Sequence, residues 1–223
     1  MGKTIDIATT DGHKLTGYLA EPDGEPAGAL VVIQEIFGIN SHIRNVTDAF
    51  AADGYIALAP ALFDRVEPGI ELGYTPEDVV KGREIRAGID HEDAVRDMAA
   101  GVAALSDHKV GVVGYCWGGS LAWNAASQVD GVSAAVGYYG GMIPDMVDEQ
   151  PRIPVMLHFG DQDQSIPMDG VNKVIAVHPD VPIHVYHAGH GFNCDQRGSY
   201  DAESARLARK RTMDFFAKHV AGK

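Results

Sequence analysis

Cysteine is scarce: Cys116 and Cys194 are the two in 223 residues. Two thiols do not make a disulfide scaffold, and no CxxC or other paired-ligand spacing suggests zinc. Positive charge is short as well. Eighteen Lys and Arg stand against 31 Asp and Glu, a formal net charge of −13. That balance argues against nucleic acid as a partner, because a phosphate backbone needs clustered cations. No apolar run approaches a membrane span. Met1–Asp6 has neither an apolar leader core nor the Ser or Thr at position 6 of a myristoylation signal. The expectation is a cytoplasmic chain with no membrane partner. Internal repeats and low-complexity tracts are also missing. What remains is 45% hydrophobic and 22% charged residues, which suits one domain over 1–223 with a sizeable core. Monomer and small homo-oligomer both stay open.

The order of elements points to an α/β fold. Residues 4–9 and 14–20 read as strands joined by Asp11-Gly12, an antiparallel hairpin. Residues 29–33 are continuously apolar, as in a strand covered on both faces. Ser41 is a candidate cap for a helix running to Asp53, and 55–59 is the next strand. Residues 60–74 are irregular. Thr75-Pro76-Glu77-Asp78 opens a helix well, and the pattern runs to about Ser106 with a break expected at Gly88. Strands at 110–113, 131–137, 155–159 and 183–186 alternate with helices at 168–178 and 201–220. Such alternation predicts a mostly parallel sheet with helices on both faces. Chemical residues should then lie just beyond the carboxyl ends of strands.

The sharpest local feature is Gly114-Tyr115-Cys116-Trp117-Gly118-Gly119. It sits between a buried strand and a helix, with glycines on both sides of one nucleophilic side chain. This is the layout of a nucleophile elbow, with cysteine in place of serine. A buried structural cysteine in a Gly-rich turn is the other reading. Asp161 and Asp163 follow the strand at 155–159, and His190 follows the strand at 183–186. The order nucleophile, acid, histidine is that of α/β-hydrolases. Histidine takes the nucleophile's proton and an aspartate fixes its tautomer. Gly160-Asp161-Gln162-Asp163 is also good turn chemistry. His184, His187 and His190 have a spacing of three, but a strand and its loop would not turn them to one face as a helix does. No metal is expected there.

Several segments carry a resemblance: Gln34-Glu35-Ile36-Phe37-Gly38, Gly54-Tyr55-Ile56-Ala57-Leu58-Ala59-Pro60, Gly111 to Gly119, Gly137-Tyr138-Tyr139-Gly140, Gly160 to Asp163, and Gly189-His190-Gly191-Phe192. In this order the chain resembles the dienelactone hydrolase family, within the α/β-hydrolase fold. The resemblance implies a Cys116–His190–Asp163 triad, with Asp163 and not Asp161 as the acid. It implies that Glu35 contacts the resting thiol and helps generate the thiolate when substrate arrives; an anionic substrate that draws an arginine away from Glu35 would free the carboxylate to take the proton. Backbone N–H groups of Trp117 and Ile36 are the implied oxyanion donors.

Family members bind a substrate carboxylate with cations from the helix after the irregular loop and from beyond the histidine. Lys81, Arg83 and Arg86 are the candidates in the first place. In the second, Cys194 stands where dienelactone-cleaving members have arginine, and Arg197 is the substitute if the loop bends inward. Tyr138 and Tyr139 read equally as core, wall or ligand contacts. Cys194 reads as a bystander. The expected activity is hydrolysis of a small lactone or carboxylic ester through a thioester acyl-enzyme, with no cofactor and no metal. A broader carboxylesterase or thioesterase, and a non-catalytic binding protein on the same fold, are the alternatives.

Overall fold

The computed structural model describes residues 2–221. Eight strands form one sheet in the order β1-β2-β4-β3-β5-β6-β7-β8. Strands β1 (Lys3–Ala8) and β2 (Lys14–Ala20) are the antiparallel hairpin, and β2 joins β4 (Ile56–Pro60) antiparallel. From β4 onward, through β3 (Ala29–Ile33), β5 (Val110–Tyr115), β6 (Val132–Tyr138), β7 (Val155–Gly160) and β8 (Ile183–Tyr186), all pairings are parallel. Every residue of β3 and β5 is buried, because helices cover both faces of the sheet centre.

Neighbouring residues of β3 point to opposite faces. Leu30 lies with Phe216 of α6 (Ala202–His219) around Gly111, and Val31 lies beside Gly101 of α3 (His91–Ala103). Helix α1 (Ser41–Ala52) joins α6 through Phe50 and Phe216, whose ring centroids are 6.4 Å apart. Two further helices matter for the site: α2 (Pro76–Ala87) and α4 (Trp117–Gln128). Helix α5 (Met168–Val177) follows β7.

The helical stretch after Thr75 breaks at Gly88, so α2 and α3 are separate. Thr75 and Asp78 cap α2 reciprocally, with Pro76 in the first turn. Asn40, not Ser41, caps α1. The Asn40 carboxamide oxygen accepts from the Ile43 amide, while the Ser41 hydroxyl donates to Gln196. Asn satisfies the same orphan amide from one residue earlier. The irregular stretch 60–74 holds a 3₁₀ turn, Leu62–Arg65. It is pinned by an amide bond from Leu72 to Phe37 O and by the paired contacts of Arg44 with Glu71.

Candidate active site

Cys116 sits between the last residue of β5 and the first of α4 with φ 56° and ψ −114°, a strained conformation for any side chain but glycine. The turn closes only because its neighbours lack a Cβ. One on Gly114 would lie 1.8 Å from Gly118 O, and one on Gly118 would lie 2.5 Å from Ile33 O. The turn places the sulfur at the N-terminus of α4.

His190 comes from the loop after β8 and Asp163 from the loop after β7. The His190 Nε2 is 3.1 Å from the Cys116 Sγ, and its Nδ1 is 2.7 Å from Asp163 Oδ2. Asp163 is itself held by amides of Ser165 and Ile166 on Oδ1, at 2.8 and 3.2 Å. The Ser199 hydroxyl donates to His190 O and steadies the loop. Burial pulls the His190 pKa down, but the negative sulfur of Cys116 and the hydrogen bonds to Asp163 and Cys116 outweigh it, and the pKa is pushed up to about 10. Asp161 lies elsewhere, beside His187 on the surface. His184 stacks on His158, so the three histidines at spacing three face three different surroundings.

A cavity of about 350 Å³ opens over the sulfur, with Cys116, His190, Trp117 and Ile36 in its wall. Among the described residues the backbone amides of Ile36 and Trp117 are not spent on other backbone carbonyls. Phe37, Val79, Met142 and Ile166 make the apolar part of the wall. Arg83, Arg86 and Arg197 supply the charged part. Helix α2 reaches the cavity because Gly82 lets it press against the Ile36 loop, where a Cβ would meet Ile36 O at 2.0 Å.

Arg197 gets there by a succession of turns after His190, with amide bonds from Cys194 to Gly191 O and from Arg197 to Cys194 O. Its guanidinium lies over Gly191, whose φ is 77° and where a Cβ would meet Nη1 at 2.5 Å. Nη1 donates to Glu35 Oε1 at 3.0 Å, and the Tyr74 hydroxyl donates to Glu35 Oε2 at 3.3 Å. Burial disfavours the Arg197 charge, but Glu35 more than restores it and the pKa is raised.

Three expectations need correction. Lys81 is exposed and outside the cavity wall, because the helical turn that brings Arg83 and Arg86 inward carries it away. Tyr138 is also outside the wall. It is buried, and its hydroxyl is 2.7 Å from Thr212 on α6. Strand alternation sends Tyr138 into the core, whereas the neighbouring Tyr139 ring lies 5.1 Å from that of His190. The thiol is turned to His190, not to Glu35, whose two oxygens are engaged by Arg197 and Tyr74. Tyr74 and His42 escaped the sequence reading. Tyr74 lies in the irregular loop with no motif around it.

The matches to known proteins run along the same segments. Residues 15–220 match the dienelactone hydrolase family. The chain belongs to that family. It is 33% identical over 227 residues to the carboxymethylenebutenolidase of Pseudomonas putida, covering 96% of this chain and 95% of that one. A Synechocystis protein provisionally given the same name is 34% identical over 241 residues, 96% of this chain and 98% of its own. A crystal structure from Klebsiella pneumoniae, provisionally described as a dienelactone hydrolase, superposes with a TM-score of 0.86 at 27% identity, over 98% of this chain and all of that one. The fold is therefore the α/β-hydrolase fold and the protein is a hydrolase of this family. Among the described residues no helix is long and apolar enough to cross a membrane.

Proposed function

We propose that this hydrolase opens a small carboxylated lactone or ester through a Cys116 thioester. The observation that carries the reading is the continuous chain of contacts from Asp163 through His190 to the Cys116 sulfur, at the floor of a cavity with three arginines in its wall. The sulfur attacks the carbonyl carbon, and the developing oxyanion is met by the amides of Ile36 and Trp117. His190, carrying a proton, gives it to the leaving oxygen as the C–O bond breaks. Water then attacks the thioester, His190 takes its proton, and the thiolate leaves. Asp163 keeps Nδ1 protonated and Nε2 directed at the sulfur.

The charge pattern supports an anionic substrate. In a chain of net charge −13, three cations meet in one wall. Neither Arg83 nor Arg86 has a carboxylate partner among the described residues. A substrate carboxylate would compete with Glu35 for Arg197, so Glu35 serves as its internal stand-in when the cavity is empty of substrate. A neutral-ester carboxylesterase makes no use of these cations.

The test is hydrolysis of a carboxylated enol-lactone and of a neutral p-nitrophenyl ester by the wild type, Cys116→Ser and Cys116→Ala. Cys116→Ala is expected to lose roughly 10⁴-fold or more in kcat for both. Retained turnover by Cys116→Ala rejects the thioester route. Preference for the neutral ester rejects the anionic clamp alone.

A further inference from the structure

Behind the cavity wall lies a second cluster, of which the hydrolytic reading uses only Glu35, as the partner of Arg197. Glu35, His42 and Cys194 each offer one ligand atom, and these atoms all lie within 4.8 Å of one another. They come from the loop after β3, from the first turn of α1 and from the loop after His190. All three are buried: Glu35 and Cys194 have no exposed surface and His42 has 3%.

His42 gives the cluster its direction. Its Nδ1 is 3.2 Å from Asp195 Oδ1. A carboxylate accepts only, so in the neutral ring Nδ1 carries the proton and Nε2 is a bare lone pair. That Nε2 is buried and has no hydrogen-bond partner. Buried lone pairs are rarely left alone. A histidine that donates one nitrogen to a carboxylate and aims the other at nothing has the outer half of a carboxylate–histidine–metal arrangement.

We propose that Glu35, His42 and Cys194 bind a thiophilic divalent cation, with zinc(II) the best match. A thiolate, an imidazole and a carboxylate are the donor set that zinc takes, and they exclude magnesium and calcium, which want oxygen only. Tetrahedral zinc holds its ligand atoms roughly 3.3–3.7 Å apart, so binding draws the three together by up to about 1.5 Å. Cys194 gives up its thiol proton to solvent as the metal–sulfur bond forms. Two anionic ligands then neutralise the cation, and the metal takes over Glu35 from Arg197. The groove between α1 and the chain before α6, lined by His42, Asn193 and Asp195, is the way in. This cation is no reactant in ester cleavage, and the site stands whether or not Cys116 is the nucleophile.

Cobalt(II) is the probe, because a cobalt–thiolate bond has a charge-transfer band in the near ultraviolet. Titration of the full chain with cobalt(II) at neutral pH should saturate at one equivalent, release a proton and give that band. Cys116→Ser should keep the band. Cys194→Ser should lose it, His42→Gln should weaken binding at least tenfold, and zinc(II) should displace the cobalt. A band that survives Cys194→Ser and vanishes in Cys116→Ser overturns the proposal, since the metal is then on the elbow thiol. Failure to saturate in the wild type overturns it as well. Should circular dichroism show Cys194→Ser unfolded, folded His42→Gln decides: undiminished affinity there rejects the site.

Discussion

Asp97 and Glu35 are both sealed from solvent and both face an arginine, yet only the first pair is closed. Asp97 receives Arg65 on both oxygens, from Nη2 at 2.6 Å and Nε at 2.9 Å. Arg65 also reaches Asp11 at 2.8 Å, with Asp93 3.9 Å away. Its donors are satisfied by carboxylates that tie the β1–β2 turn, the 3₁₀ turn and α3 together. Arg197 makes one bond to Glu35, and the rest of its guanidinium lies in the cavity wall against the Phe37 and Tyr74 rings, 5.7 and 5.8 Å from their centroids. A saturated ion pair holds elements in register. An unsaturated one keeps donors ready for a ligand.

The largest effect should come from breaking the closed pair. Arg65→Met leaves Asp97 buried without a cation and is expected to cost about 3–5 kcal/mol. For a chain of this length that is a fall in Tm of about 6–20 °C, read by thermal denaturation. Turnover per folded molecule should be unchanged. A normal Tm would show that Asp97 is not charged or finds another partner.

Breaking the open pair should cost activity besides stability, because Glu35 too is left buried without its cation. Arg197→Met removes a charge-assisted contact to substrate worth about 1.5–3 kcal/mol, roughly tenfold to a hundredfold in kcat/KM for a carboxylated lactone. The neutral ester should be little affected. Arg197→Lys should not restore the loss, because a point charge does not reproduce the planar fork. Equal losses on both substrates would make Arg197 a structural residue like Arg65.

A third effect concerns pH. The His190 pKa rises from 6.5 to about 10 on folding. Between those values the native state holds a proton that the unfolded chain has released, so stability is full below about 6.5 and falls as pH rises toward 10. His190→Gln should flatten that part of the curve, measured by urea denaturation across the window. A slope unchanged by the substitution would mean that the imidazole is neutral in the fold.

The elements around the sheet and the elbow were legible because each has a local cause. The continuous burial of β3 and β5 is written as runs free of charged residues, and the tight turn at Cys116 as flanking glycines. The site was legible in part. Asp163 and His190 could be set beside Cys116 by strand order, since residues after parallel strands converge on one edge. Lys81 and Tyr138 do not meet the expectation, because which side of α2 faces the cavity, and which of the two buried tyrosines at the end of β6 packs beside His190, depends on packing partners far away in the chain.

Local pattern alone therefore determined the α/β class, the strained cysteine and the order of its partners, all of which follow from periodicity and backbone sterics over a few residues. Only the tertiary structure decided that Arg197 answers Glu35, that Arg65 is consumed by Asp97, and that His42 and Cys194 share a buried space with Glu35. Those contacts join segments as far apart as residues 35 and 197. Their strength comes from burial and mutual geometry, and neither is encoded at any single stretch of chain.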